Sequence, residues 1–366
     1  MRIRVNILHS KLKINGNELA FLFPIKFNAK RLKVDYNISV NYFQSINERL
    51  YECDVLIISS WYIGRELKWW QGENEKVSEF LTTAKSKVKK VIWFDISDST
   101  GTTQFLVLPY VDSYLKCQIL KNKNDYLNKY YANRIFTDYY HKSFKIDDSN
   151  SGETHLGIIP AKSDLDKLFV GWNTGMTNYG CYSTYWSILS HYLSHIELPK
   201  FYPTHWASPY SHRPVDYSCR VGYSYPRQTV AYQRKEIAKL LKDRISVEKL
   251  KRKKYFSEME KSKICISPFG LGEITLRDFE IIISGSAIFK ANCDHMDTWP
   301  NLFVKDQTYI DYKWDLSDFE EKLDYYTQNP NLCRDIAHGC QEIYKNLLTT
   351  EIGYNHFCQR FKKLII

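Results

Sequence analysis

The chain has 366 residues, 44% of them hydrophobic and 25% charged, which excludes disordered and fibrous architectures and predicts two domains, each with a core of its own. Its 51 basic against 41 acidic residues give a formal net charge of +10, favouring phosphorylated or otherwise anionic partners, while 15% aromatic residues suit either a dense core or a cleft for flat or polyhydroxylated ligands. Nine cysteines without a CxxC pair indicate reduced thiols, and no apolar run is long enough for a signal peptide or a membrane span, so a soluble cytoplasmic protein is expected.

Residues 2–8 alternate charged and apolar side chains as a strand does, and 37–43 read as a second strand. A helix over 46–53 leads into Asp54-Val55-Leu56-Ile57-Ile58, whose continuous apolar character suits a strand buried on both faces of a parallel sheet. Residues 75–85 place Val77, Phe80, Leu81 and Ala84 on one helical face before Val91-Ile92-Trp93-Phe94, another buried strand. The order β-α-β-α-β predicts a doubly wound α/β domain with ligands beyond the carboxyl ends of its strands. Four prolines between Leu198 and Pro214 mark the domain boundary. The pattern then restarts: a strand over 215–221, a Gly-Tyr-Ser-Tyr-Pro loop, a helix over 228–242, strands at 263–267 and 287–290 around a helix at 276–283, and a helix to 328 opened by a Ser317/Glu320 capping box. Helices over 331–348 and 352–363 close the chain. The basic run Lys249, Lys251, Arg252, Lys253 and Lys254 reads as a solvated helix face.

The segment from Ser267 to Glu280 carries the strongest chemical signal. It joins a buried strand to an amphipathic helix, and its glycines Gly270 and Gly272 let backbone amides approach a ligand. The partial positive charge of the following helix N-terminus suits a phosphate, and Arg277 in the first turn adds a charge-assisted partner. Glu280, further along the helix, can accept hydrogen bonds from two ribose hydroxyls.

The stretch Ser267–Lys290, with Arg277-Asp278-Phe279-Glu280 and Ile283-Ser284-Gly285-Ser286-Ala287, resembles the donor-binding half of GT-B glycosyltransferases. Asp294–Pro300 continues the likeness. In the other half, residues 95–102, 111–116 and 136–141 resemble uncharacterised bacterial family-1-like glycosyltransferases. This resemblance implies an α/β GT-B fold: two Rossmann-like domains with parallel sheets facing across a cleft. The expected divisions are an N-terminal acceptor-side domain over 1–205, a C-terminal nucleotide-sugar-binding domain over 206–345, and a C-terminal helix over 346–366 that crosses back to the first domain. The Glu equivalent to Glu280 binds the nucleotide ribose in that fold. Relatives carry two Glu with seven residues between them; here Glu273 and Glu280 have six, so Glu273 stays a candidate by its place in the loop alone.

Other donor-side candidates are Asp216 and Arg220 about the first strand of the second domain, Arg227 and Arg234 at the following helix, and His295 past a carboxyl strand end. For proton transfer from the acceptor hydroxyl the candidates are Asp98 and Asp95, just past a buried strand, with Asp138 and His141 as a second pair. His191 and His195 have helical spacing but lack an HExxH Glu, so packing is the preferred reading. Trp61-Tyr62 and Trp69-Trp70 read as core. No metal or other cofactor is expected. The implied partners are a nucleotide-sugar donor and a glycan or lipid-linked acceptor of bacterial envelope polysaccharide (O-antigen, capsule or lipopolysaccharide), with peripheral contact at the inner membrane face and no nucleic acid. The rival readings are a noncatalytic carbohydrate-binding or inactive partner subunit and a nucleic-acid binder. Against the latter, the basic residues are interleaved with acids and no RNP-like motif is present.

Overall fold

The computed structural model describes residues 2–10, 17–148, 156–177, 203 and 205–366. The first sheet contains β1 (Ile3–Leu8), β2 (Ile38–Phe43), β3 (Val55–Ser59), β4 (Lys90–Asp95), β5 (Ser113–Lys116) and β7 (Leu168–Val170), in the order β2-β1-β3-β4-β5-β7. Every pairing in it is parallel. All five residues of β3 are buried, as its unbroken apolar run requires for a strand covered on both faces. Helix α4 (Asn74–Lys87) buries Val77, Phe80, Leu81 and Ala84, the stripe its spacing predicts.

The second sheet has the order β12-β10-β9-β8, formed by β8 (Val215–Ser218), β9 (Ser262–Ile266), β10 (Ala287–Ala291) and β12 (Ile310–Tyr312), again all parallel. The expected α/β class with two parallel sheets therefore holds. Its helices among the described residues include α6 (Gln228–Leu241), α7 (Arg252–Lys261), α8 (Leu276–Ile283), α9 (Phe319–Gln328), α10 (Pro330–Thr349) and α11 (Glu351–Ile365).

Several local expectations need correction. Residues 46–53 hold only a 3-10 turn at Glu48–Tyr51. The strand at 215 ends at Ser218. Helix α9 starts without a Ser317 capping box; Asp318 instead accepts a hydrogen bond from the Lys313 amide at 2.8 Å. The sequence reading passed over α1 (Asn17–Phe27) and α2 (Ala29–Val34), which connect β1 to β2, as well as α3 (Ser60–Glu66) and α5 (Ile135–Phe144). Helix α1 holds Pro24 and buries residues almost all round, so it offers no amphipathic period to detect.

The two sheets are joined by more than covalent connection. Strand β6 (Gln118–Leu120) pairs antiparallel with β11 (Met296–Thr298), placing a ribbon between the halves. Helix α11 lies against the first sheet: Arg360 donates to the carbonyls of Val170 and Gly171 at 2.6 and 2.9 Å, and Glu351 pairs with Arg31 at 2.7 Å. The eight cysteines among the described residues are buried free thiols. No helix among those residues is long and apolar enough to cross a membrane. His191 and His195 lie outside the described residues.

Candidate functional site

Beyond the carboxyl ends of β8 and β9 lies a cavity of about 490 Å³. Arg220, Gly222 and Tyr225 line it from the segment after β8, Arg234 from α6, Lys249 and Leu250 from the segment before α7, and Tyr255 from α7 itself. Thr275, Leu276, Arg277 and Glu280 close it at the start of α8. That helix begins sharply because Thr275 and Asp278 cap it reciprocally, with the Thr275 amide donating to Asp278 at 2.7 Å. Asp278 is fixed in turn by Ser267 at 2.6 Å and by Lys290 at 3.1 Å, both ionic side chains being wholly buried. The cap thus holds the first turn of α8 rigidly against the cavity.

Arg277 occupies that first turn. Its Nη2 donates to the Arg220 carbonyl, while Nε and Nη1, cut off from solvent, reach no acceptor among the described residues. Leaving buried donors unsatisfied costs about 1–3 kcal/mol, a penalty that an anionic ligand would relieve. Arg234 is 6% exposed and donates to the carbonyls of Phe269, Gly222 and Pro268, with Tyr225 5.2 Å from its guanidinium. Burial lowers its pKa, since carbonyl dipoles replace water without offering a full counter-charge. Arg220, by contrast, is committed elsewhere: Nε and Nη2 donate to Glu258, and Nη1 donates to the Glu248 carbonyl at 3.1 Å.

Glu280 faces this basic wall with a side chain only 13% exposed, 3.4 Å from Arg252. Burial pushes its carboxyl above the usual carboxylate range, against the pull of Arg252, Tyr255 and Arg277. The cavity therefore combines buried guanidinium donors, a helix N-terminus, one desolvated carboxylate and two phenol rings. This set can grip an anion, accept from a pair of hydroxyls, and stack on a flat ring.

Four donor-side candidates meet in this cavity: Glu280, Arg277, Arg220 and Arg234. Gly270 borders it, since a Cβ there would sit 3.4 Å from Arg234 Nη2. The others lie elsewhere. Asp216 is half exposed and pairs with Lys263 at 2.5 Å, and Arg227 precedes α6 outside the lining. Gly272 is required for a different reason: a Cβ there would lie 1.8 Å from the Asp98 carbonyl, so the glycine lets the two halves touch. Glu273 is fully buried in that contact, accepting from Ser99 at 3.1 Å, from the Thr100 hydroxyl at 2.6 Å and from the Thr100 amide at 3.1 Å. Burial alone would raise its pKa; His295, 3.4 Å away, and Thr100 outweigh it and hold the carboxyl at about 2. Glu273 and His295 thus clasp the two halves together and do not line this cavity.

The expected acid/base residues lie outside this cavity. Asp95 is completely buried in an ion pair with Lys116 at 2.9 Å, and it accepts from Tyr114 at 2.5 Å and the Ser97 amide at 2.8 Å, which makes it a core anchor. Asp138 is held by the Tyr131 amide at 3.0 Å and Lys142 at 2.7 Å. His141 stacks on Tyr131 at 3.8 Å with Nδ1 3.0 Å from Asp147. Asp98 belongs to the loop pressed against Gly272. None of the four borders the cavity.

Sequence reading missed Tyr225, Tyr255, Lys249 and the Arg252 partner of Glu280. The basic run at 249–254 was the available signal, but charge alone does not separate a solvated face from a cavity wall. A second polar cluster was also missed, at the carboxyl ends of β1 and β3. Buried Glu18 accepts from the Ser10 amide at 3.1 Å and from the hydroxyls of Ser10 and Ser59. Burial pushes Glu18 above the usual carboxylate range, and desolvation lowers neighbouring His9 to about 4.

No family model matches the chain, and no curated protein matches it in sequence. Solved structures to which it is similar include glycosyltransferases. One is HepE from Anabaena, solved with UDP and glucose, at 10% identity and a TM-score of 0.45, the match covering 99% of both chains. Another is sucrose-phosphate synthase from Thermosynechococcus elongatus, at 9% identity and a TM-score of 0.46, again over 99% of both. A glycosyltransferase from Rickettsia africae follows at 9% identity and 0.42, covering 99% of this chain and 98% of that one.

Proposed function

We infer that the chain is a glycosyltransferase that takes its sugar from a nucleotide donor. The observation that carries this reading is the buried Arg277 guanidinium, two of whose nitrogens meet no acceptor among the described residues, in the same cavity as Glu280. In this reading Glu280 accepts from the ribose hydroxyls, and Tyr225 or Tyr255 stacks against the base. Arg277 and the first-turn amides of α8 meet the phosphates. Breaking the bond between the anomeric carbon and the phosphate oxygen moves negative charge onto the phosphate. Donors already fixed in position stabilise that charge without reorganising. Arg234 and Lys249 add positive charge to the same wall, which supports transfer without a metal ion.

The finer reading is transfer of a hexose or related sugar to a glycan or lipid-linked acceptor of bacterial envelope polysaccharide, by a cytoplasmic enzyme in peripheral contact with the membrane face. The net charge of +10 supports contact with an anionic surface. The acceptor would approach the carboxyl ends of the first sheet, where His9, Ser10, Glu18 and Ser59 cluster. Titration calorimetry against UDP, GDP, CMP and TDP tests the central claim. Heat with one nucleotide, abolished in Arg277→Gln, is expected; silence with all four would refute it and favour a noncatalytic sugar-binding subunit.

A further inference from the structure

A second cavity, of about 500 Å³, lies at the opposite end of the first sheet from the Glu18 cluster. It opens beside the amino ends of β4, β5 and β7, where Lys90, Ser113 and Leu168 begin their strands, and α11 covers it from the other side. Four cations line it: Lys90, Lys123, Arg360 and Lys363. None of them forms an ion pair among the described residues. Arg360 donates only to the carbonyls of Val170 and Gly171, and Lys90 reaches the Leu364 carbonyl at 3.4 Å. Against them stands exposed Asp297; Asp112, which also acts on Lys90, is already bound to Lys85.

The rest of the lining is apolar. Ile119, Leu168 and Val170 form a buried wall, and Leu364 contributes from α11. Phe169 is 43% exposed at the mouth, with Lys123 Nζ 5.5 Å from its ring centre. Mutual repulsion among gathered cations and partial removal from water both disfavour this arrangement unless an anion sits among them. The apolar wall adds a second requirement that a bare inorganic anion does not meet. Volume and lining are those of a small-molecule site.

We propose that this cavity binds an anionic amphiphile, a single acyl or alkyl chain carrying a phosphate or carboxylate, with the head among the four cations and the chain along Ile119, Leu168 and Phe169. This site is separate from the donor cavity and does not depend on the reading given to it. Calorimetry with dodecyl phosphate below its micellar concentration tests it, with inorganic phosphate and dodecanol as the two halves of the probe. Dodecyl phosphate is expected to bind at least tenfold more tightly than either half. The double variant Lys123→Gln/Lys363→Gln, whose side chains form no hydrogen bond or ion pair among the described residues, is expected to lose tenfold or more, and Phe169→Thr several-fold, with unchanged melting curves. Arg277→Gln, in the other cavity, leaves this binding intact. Equal binding of either half, an unaffected double variant, loss in Arg277→Gln, or no binding at all would each overturn the proposal. Flotation with phosphatidylglycerol-containing vesicles, lost in the double variant, identifies a bilayer as the source of the chain. Dodecyl phosphate binding without flotation identifies a soluble one.

Discussion

Glu280→Gln separates a ligand-binding carboxylate from a structural one, because the two roles predict opposite pairs of results. In the free protein Glu280 meets Arg252 at 3.4 Å, and the arginine side chain is 44% exposed, so this pair contributes under about 1 kcal/mol. Burial also raises the Glu280 pKa, meaning that its charged form is held at a cost the amide would not bear. The melting temperature should therefore move by no more than about 2–4 °C. Binding is a different matter. A carboxylate accepting from two ribose hydroxyls is worth about 1.5–3 kcal/mol, or roughly 10- to 150-fold in Kd. One effect opposes the loss: removing a negative charge beside Arg277 and Arg252 strengthens attraction for phosphates. The nucleoside should thus lose more affinity than the nucleoside diphosphate, which carries the compensating anion. Calorimetry of the matched pair, on wild type and variant, reads both quantities. Equal affinities before and after substitution, or a large drop in stability with binding retained, would show that Glu280 only ties α8 to α7.

Arg277→Gln should weaken nucleotide binding at least tenfold while lowering the melting temperature by no more than about 2–4 °C, because Nε and Nη1 reach no acceptor among the described residues and the bond lost is that of Nη2 to the Arg220 carbonyl; a larger fall in stability without a binding defect would refute this. Asp95→Asn strands the Lys116 ammonium in the core and should cost about 3–5 kcal/mol in urea unfolding, where a loss under about 1 kcal/mol would contradict an anchoring role. Gly272→Ala forces a methyl group against the Asp98 carbonyl and should cost about 1–3 kcal/mol or separate the halves, seen as a lower melting temperature or a larger radius in small-angle scattering. His9 titrates near 4 when folded and near 6.5 when unfolded, so the unfolded chain binds the proton first. Stability should fall as pH drops from about 6.5 to 4, by about 3 kcal/mol, and His9→Gln should flatten that limb of the pH profile.

Much of the fold was legible because two parallel sheets need unbroken apolar strands, and Val55–Ser59 and Ser262–Ile266 announce themselves in any window. Helix α8 was legible to the residue, its bounds fixed by Thr275 and by the turn at Ser284-Gly285. The failures share a cause. Strands β6 and β11 have three residues each and are stabilised by one another across about 180 positions, a pairing that no local pattern encodes. Likewise Asp95 and Glu273 looked like chemistry because each is an acid beside a strand end. Only the partners that surround them, Lys116 and Tyr114 for one and Ser99, Thr100 and His295 for the other, reveal load on the fold.

The same logic explains why the cavity beside α8 was more legible than the polar cluster of the first sheet. Much of that cavity comes from residues close together in sequence, Gly270, Thr275, Arg277 and Glu280, so eleven residues carry its signature. The polar cluster of the first domain instead collects His9 and Ser10 after β1, Glu18 from α1 and Ser59 from the end of β3, across fifty residues and three elements. A doubly wound sheet gathers such residues because every parallel strand ends on the same edge. Each of these residues is unremarkable where it stands in the chain. Their burial together, with Glu18 pushed toward its neutral form and His9 held neutral, is a property of the sheet edge and not of any segment that contributes to it.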